Sequence, residues 1–360
     1  MLSTIRAWPR LADYCAPQCG KDNNFNLLRM MAAMAVLYGH CYALLRLPEP
    51  LGATLGISLG SIAVDIFFVS SGFLVGASLF QRQSVLDYLV ARCFRIFPAL
   101  WVMLILVVFV LGASLTSNAE YFHDPSTLRH FWKSATLMTG IDFYLPGVFE
   151  TNPFAGVVNG SLWSMVYEIT MYILLLICWM VCRLCHRSMR WPFAVLMTAV
   201  AWYGTYWIAM HSGLFVKSQF LHLSWMFFCG CLCYLLRQKI PLHLSVFVSL
   251  VVISAAALSV DQTIFSWVYC AVLPYLVLGF AYLFAGKLRL YNKLGDYSYG
   301  VYIYAFPLQQ TVIHLLPDSS VHHLFILASA LTLLCAMFSW HVVEKPVMAR
   351  RAQFLAFLRR

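Results

Sequence analysis

Charge is what this chain has least of. Charged residues make up 11% of its 360 residues, and only 14 residues are acidic. Soluble domains carry about 25% charge, so composition argues against an ordinary soluble globular protein. Hydrophobicity takes its place, at 62% of the chain. No internal repeat and no low-complexity tract is visible. A short apolar run ahead of a cleavage site is also missing. Residues 1–25 are polar, with Arg6, Arg10, Lys21 and Asp22, and the first apolar stretch is expected to serve as its own insertion signal. The net charge of +10 does not mark a nucleic-acid binder, because the cations are not gathered into one soluble region.

Cysteine is present but reads as filler. Most of the 12 cysteines sit in apolar runs, among them Cys178, Cys229, Cys231, Cys233, Cys270 and Cys335. A free cysteine there behaves as a small buried hydrophobe. The stretch Cys182-Arg183-Leu184-Cys185-His186 has the C-x-x-C-H spacing of haem attachment. It falls in a basic segment expected in the cytosol, whereas that attachment belongs outside. No metal site is expected.

What is there is a series of long apolar runs. Stretches of about 17–22 residues predict about ten membrane-spanning helices. Their expected limits are 26–45, 58–80, 96–113, 161–182, 192–211, 219–236, 242–260, 264–285, 296–315 and 322–343. The fold class expected is an all-α, polytopic integral membrane protein. With the N-terminus in the cytosol, 19 of the 24 Lys and Arg residues lie in cytosolic segments and four outside. That asymmetry predicts cytosolic N- and C-termini. Residues 1–25 then form a cytosolic segment, 26–343 the transmembrane domain and 344–360 a basic cytosolic tail. One outer segment is long, about 113–160, and its aromatics argue against disorder.

Ionisable residues inside spans are costly, about 2.5–3.5 kcal/mol for Arg near a helix centre, so each is a functional candidate. The first span holds two, Arg29 and His40. Eleven residues return to within about 20° of the same face and rise about 16 Å, so both share one face at different depths. Asp65 and Glu168 enter other spans from the outer side to a depth similar to His40. Either carboxylate could orient His40 as a general base. On the cytosolic side Arg92 and Arg95 stand three apart on one helix face and suit phosphate recognition, with Arg29 at similar depth.

Six stretches resemble the acyltransferase-3 family of membrane-bound O-acyltransferases, of the kind that acetylate bacterial polysaccharides. They are Arg29 to His40 after NFNLL, VDIFFVSSGFLV at 64–75, ARCFRIFPALW at 91–101, GSLWSMVYEI at 160–169, LGDYSYGVYIYAFPLQQ at 294–310 and VVEKP at 342–346. Together they cover nearly the whole chain in the family's order. One position departs: Ala305 stands where some members have a histidine in the ninth span.

The resemblance implies transfer of an acyl group, often acetyl, from cytosolic acyl-CoA to a carbohydrate hydroxyl on the outer side of the bacterial inner membrane. The acceptor would be a surface or exported polysaccharide or its lipid-linked precursor. In that reading His40 is the general base, Asp65 or Glu168 orients it, and Arg29, Arg92 and Arg95 bind the coenzyme A phosphates. Membrane lipids are the other expected partner. A covalent acyl-enzyme through His40, Ser70 or Ser71 stays open, as does sugar stacking on Trp132 or Tyr144. The rival class is a transporter or flippase for a lipid-linked sugar or acylated solute.

Overall fold

The computed structural model describes residues 8–15, 22–184 and 215–359. The expected span at 192–211, and Cys185 and His186 of the C-x-x-C-H stretch, lie outside these residues. Among the described residues all regular structure is helical, and β pairing amounts to two isolated bridges, Arg10 with Pro241 and Tyr144 with Val157. The principal helices are α1 (Phe25–Leu44), α2 (Leu59–Arg82), α3 (Val85–Ile105), α4 (Pro125–Thr136), α5 (Trp163–Leu184), α6 (Phe215–Leu235), α7 (Leu244–Val260), α8 (Gln262–Leu283), α9 (Ser298–Leu315) and α10 (Val321–Phe338).

Local sequence sets where several begin. Ser58, Asp124, Asp261 and Ser320 accept hydrogen bonds from backbone N–H groups of the first turns of α2, α4, α8 and α10, satisfying donors that have no partner inside the helix. α3 runs on through a wide π-turn, Leu106–Gly112, and α10 through another, Ser339–Glu344.

Among the described residues, six helical stretches are long and apolar enough to cross a membrane: Phe25–Leu44, Leu59–Arg82, Val85–Leu115, Gly160–Leu184, Gln262–Leu283 and Val321–Leu358. About ten spans are expected, and one of them, 192–211, lies outside the described residues. α7 is shorter. At 17 residues α7 rises only about 26 Å, against a hydrocarbon core of about 30 Å. α9 carries Tyr299, Tyr302, Tyr304, Gln309 and Gln310, all buried. It is a polar helix enclosed by others rather than one facing lipid.

α2 is the packing centre, touching α1, α5, α6 and α8, while α9 lies between α1 and α10. The α2–α6 contact is backbone on backbone. A Cβ at Gly72 would collide with the Phe227 carbonyl, and one at Gly230 with the Val69 carbonyl. The Cys231 thiol donates to the Gly72 carbonyl at 3.0 Å. Helices in lipid gain no hydrophobic drive from meeting each other, so close approach through small residues supplies the attraction instead.

The long segment between α3 and α5 is ordered and stitched to the bundle. Trp101 Nε1 donates to the Ala135 carbonyl at 3.0 Å. Asn159 Nδ2 donates to the Ile303 carbonyl at 2.9 Å, and Gln310 Nε2 donates to the Phe154 and Val157 carbonyls at 2.8 and 2.7 Å. His130 is wholly buried in this segment, its Nδ1 3.1 Å from the Tyr144 carbonyl oxygen.

Two predictions follow from this packing. Gly72→Ala and Gly230→Ala each force the helices apart, an overpacking cost of about 1–3 kcal/mol or more. Both should lose the monodisperse peak in detergent size-exclusion chromatography. Gly52→Ala should keep it, since a Cβ there meets nothing within 4 Å. The second concerns pH. Burial lowers His130 to about 4 from its ordinary 6.5, against the opposing pull of Asp142 and the Tyr144 carbonyl. Between those values the unfolded segment binds the proton and the folded one does not, so stability falls as pH drops from about 6.5 toward 4. Amide exchange across residues 120–145, corrected for intrinsic rates, should accelerate over that window. His130→Asn should remove the dependence.

Candidate active site

Three of the sequence motifs converge on one guanidinium. Arg95 on α3 donates from Nη1 to Glu344 Oε2 at 2.8 Å and from Nη2 to Asp296 Oδ2 at 2.5 Å. Asp296 precedes α9 in LGDYSYG, and Glu344 ends the π-turn in VVEKP. Ser298 Oγ donates to the other oxygen of Asp296 at 2.6 Å, and Ser339 Oγ to the other oxygen of Glu344 at 3.1 Å. The guanidinium also lies over the rings of Tyr299 and Trp340. Glu344 is only 1% exposed, so this is a buried cluster of one cation and two carboxylates that ties α3 to α9 and to the end of α10. Arg95, expected as a phosphate ligand, is spent on two carboxylates.

Arg29 and Arg92 are in the opposite condition. Neither makes a hydrogen bond or ion pair among the described residues, and the Nε of each is buried without a partner. Arg29 lies over Phe67 at 5.7 Å and Arg92 over Tyr172 at 5.8 Å. Both guanidiniums reach Tyr172 electrostatically, along with Glu168. Arg29 and Glu168 line a cavity of about 30 Å³, walled by Val64, Phe67, Phe68, Ser164, Tyr299 and Tyr302. That space admits a water or two.

Glu168 on α5 accepts from the Tyr172 hydroxyl, one turn along the same helix, in a short contact. It also accepts from Ser71 Oγ at 3.1 Å. Ser70 turns instead to its own helix, donating to the Phe67 carbonyl at 3.0 Å.

The structure brings neither expected carboxylate to His40. The His40 ring stands edge-on to Phe306, with centroids 5.2 Å apart, and its Nδ1 is buried with no partner. Asp65 faces another way. His222 Nε2 on α6 lies 2.9 Å from both Asp65 oxygens, and the Tyr269 hydroxyl on α8 donates to Oδ2 at 2.7 Å. The reason is helical phase: Val64, Phe67 and Phe68 line the Arg29 cavity, while Asp65 lies toward Gly72, on the side of α2 that meets α6. Trp132 and Tyr144 are exposed on the segment between α3 and α5, at 64% and 58%.

Asp296, Glu344, Tyr172 and His222 were missed as site residues. Asp296 and Glu344 stood inside quoted motifs, and charge scarcity alone would have flagged them as counter-ions. His222 satisfies the criterion that singled out His40, an ionisable residue within an apolar helix. Among the described residues no cluster of ligating side chains could hold a metal ion.

The Arg95 cluster should behave as structure and Arg29 as ligand site. Arg95→Ala leaves Glu344 buried and unpaired, costing about 3–5 kcal/mol, and should lower the thermal unfolding midpoint in detergent sharply. Arg29→Ala removes no internal partner and should leave that midpoint nearly unchanged.

Comparisons with known proteins agree with this arrangement of motifs. Residues 22–341 match the family described as an acyltransferase domain. An O-acetyl transferase of Shigella phage Sf6 is 29% identical, covering 93% of this chain and 99% of the relative. Nodulation protein 10 of Rhizobium leguminosarum bv. viciae is 29% identical, covering 94% and 96%. No solved structure matches. The long apolar helices, the convergent arginine motifs and a family match over nearly the whole length lead to one conclusion: the chain belongs to the acyltransferase-3 family of membrane-bound acyltransferases.

Proposed function

We propose that the protein transfers an acyl group, acetyl in the first instance, from cytosolic acyl-CoA to a hydroxyl of a surface or exported carbohydrate or its lipid-linked precursor. In this reading it is a multi-pass protein of the bacterial inner membrane, with both termini cytosolic and the expected number of crossings near ten. The observation that carries the donor assignment is the pair of unpartnered guanidiniums, Arg29 and Arg92, beside the Glu168–Tyr172 pair. The Nε of each is buried with no hydrogen-bond partner, which is costly, and a phosphate-bearing ligand relieves that cost. Planar guanidinium forks match phosphate oxygens. The name of the phage relative supports acetyl as the group and oxygen as the acceptor atom.

Arg29 and Arg92 take the phosphates. Arg95 holds the frame beside them, since a phosphate reaches it only by displacing Asp296 or Glu344. His40 is the base: its unpaired Nδ1 is a free acceptor for a hydroxyl proton when Nε2 carries the ring proton. Glu168 and its hydroxyl partners, Ser71 and Tyr172, lie on the route between the arginines and the outer half. The cavity beside Glu168 is far smaller than a pantetheine arm, so donor entry requires α1, α2, α5 and α9 to part around it. Transporters of this size often carry two related halves, and none is visible in this sequence.

His40→Ala should reduce acyl transfer by 10²-fold or more, the range for loss of a general base, with acyl-CoA affinity retained. Arg29→Ala with Arg92→Ala should do the reverse, weakening acyl-CoA binding in calorimetry while the protein stays folded. Transfer at the normal rate by the His40 variant, or unaltered affinity in the double variant, overturns the corresponding assignment. O-acyl analysis of the host's surface glycans after deletion identifies the acceptor.

A further inference from the structure

An imidazole–carboxylate pair lies apart from the Arg29 cavity, between α2, α6 and α8. Asp65 is 1% exposed and is gripped on both oxygens, by His222 Nε2 at 2.9 Å and by the Tyr269 hydroxyl at 2.7 Å. The grip occupies His222 Nε2, so Nδ1 is the ring nitrogen not engaged by Asp65. The next residue on α8 is Cys270, whose thiol reaches the same imidazole. The two helices are pinned at this level, because Trp225, one turn from His222, donates from Nε1 to the Cys270 carbonyl at 2.9 Å. His222 and Trp225 share a helix face, so both meet Cys270. The His222 side chain is 26% exposed and Cys270 is half-buried, so the thiol is reachable from outside the packed core. Cys229 and Cys231, by contrast, are buried, and Cys41 donates to the Leu37 carbonyl.

A thiol, an imidazole and a buried carboxylate in series form the arrangement that activates a nucleophile. We propose that Cys270 is an acyl carrier: it accepts the acyl group as a thioester and passes it to the acceptor hydroxyl, with His222 as its base and Asp65 as the residue that positions His222. This rests on the thioester donor proposed above. In the first step the Cys270 sulfur attacks the donor carbonyl while the His222–Asp65 pair takes the thiol proton. The new C–S bond forms as the donor's C–S bond breaks, and His222 returns the proton to the departing thiolate. In the second step the hydroxyl oxygen attacks the Cys270 thioester. A C–O bond replaces the C–S bond, and the hydroxyl proton passes through the base to the Cys270 thiolate. Thioester exchange is nearly isoenergetic, so the enzyme-bound form keeps the reactivity needed for the second step.

The test uses the full-length protein in detergent with two donors, acetyl-CoA and S-acetyl-N-acetylcysteamine, a thioester without nucleotide or phosphate. Peptide mass spectrometry should find one acetyl group on Cys270, removed by neutral hydroxylamine and absent in Cys270→Ala. Cys270→Ser, a one-atom exchange that keeps the fold, should lack the hydroxylamine-labile group. His222→Gln should slow its formation about 10²-fold or more, and Asp65→Asn should slow it while shifting its pH profile. Acetylation by the cysteamine thioester and not by acetyl-CoA supports the carrier and sinks the coenzyme A reading. Absence of the group with both donors overturns the carrier, as does an acetyl group mapped to another residue. Transfer by Cys270→Ser or His222→Gln at the unaltered rate overturns it as well.

Discussion

The Arg95 guanidinium held between Asp296 and Glu344 is the contact on which the rest of the bundle depends. In a chain this poor in charge, a buried cation can persist only where the fold delivers its counter-ions. Those two carboxylates come from segments some 200 residues or more along the chain, at 201 and 249 positions' separation. Meeting them fixes α3, the start of α9 and the far end of α10 relative to one another. Tyr299 adds to the same joint, donating to the Ile96 carbonyl at 2.8 Å.

Against that joint the bare arginines stand out. Arg29 and Arg92 have the same chemistry as Arg95 and no ion pair or hydrogen bond among the described residues. In the function proposed here the difference separates a frame from a site: an arginine already matched by carboxylates stabilises structure, whereas an unmatched one takes the anionic ligand. The same contrast separates the two histidines. His222 is fixed by Asp65, and His40 has aromatic surroundings and a free nitrogen.

Glycine and polar side chains do the work that hydrophobicity does in water. α2 meets α6 through Gly72 and Gly230, and α9 is held by Gln309, which donates to the Leu37 carbonyl at 2.8 Å, and by Asn152, which donates to the Gln310 carbonyl at 2.9 Å. Such interhelical bonds are worth about 0.6–2 kcal/mol each in lipid, so many of them are needed. They also explain why α9 is too polar to resemble a lipid-facing span.

The amino-acid sequence by itself determined the helical class, the membrane setting and the family. Each depends on features local to the chain: apolar runs of spanning length, and short motifs in a fixed order. It also singled out Arg29, His40 and Arg92, because an ionisable residue in or beside an apolar run is conspicuous wherever it ends up. Tertiary structure alone decided which charge meets which. Arg92 and Arg95 are three residues apart and look equivalent, yet only Arg95 faces Asp296 and Glu344. Asp65 and His40 were expected to meet because they sit at similar depth, but depth says nothing of azimuth. The phase of α2 turns Asp65 toward His222 and Tyr269, and a rotation of about 100° per residue is enough to send a carboxylate to a different partner.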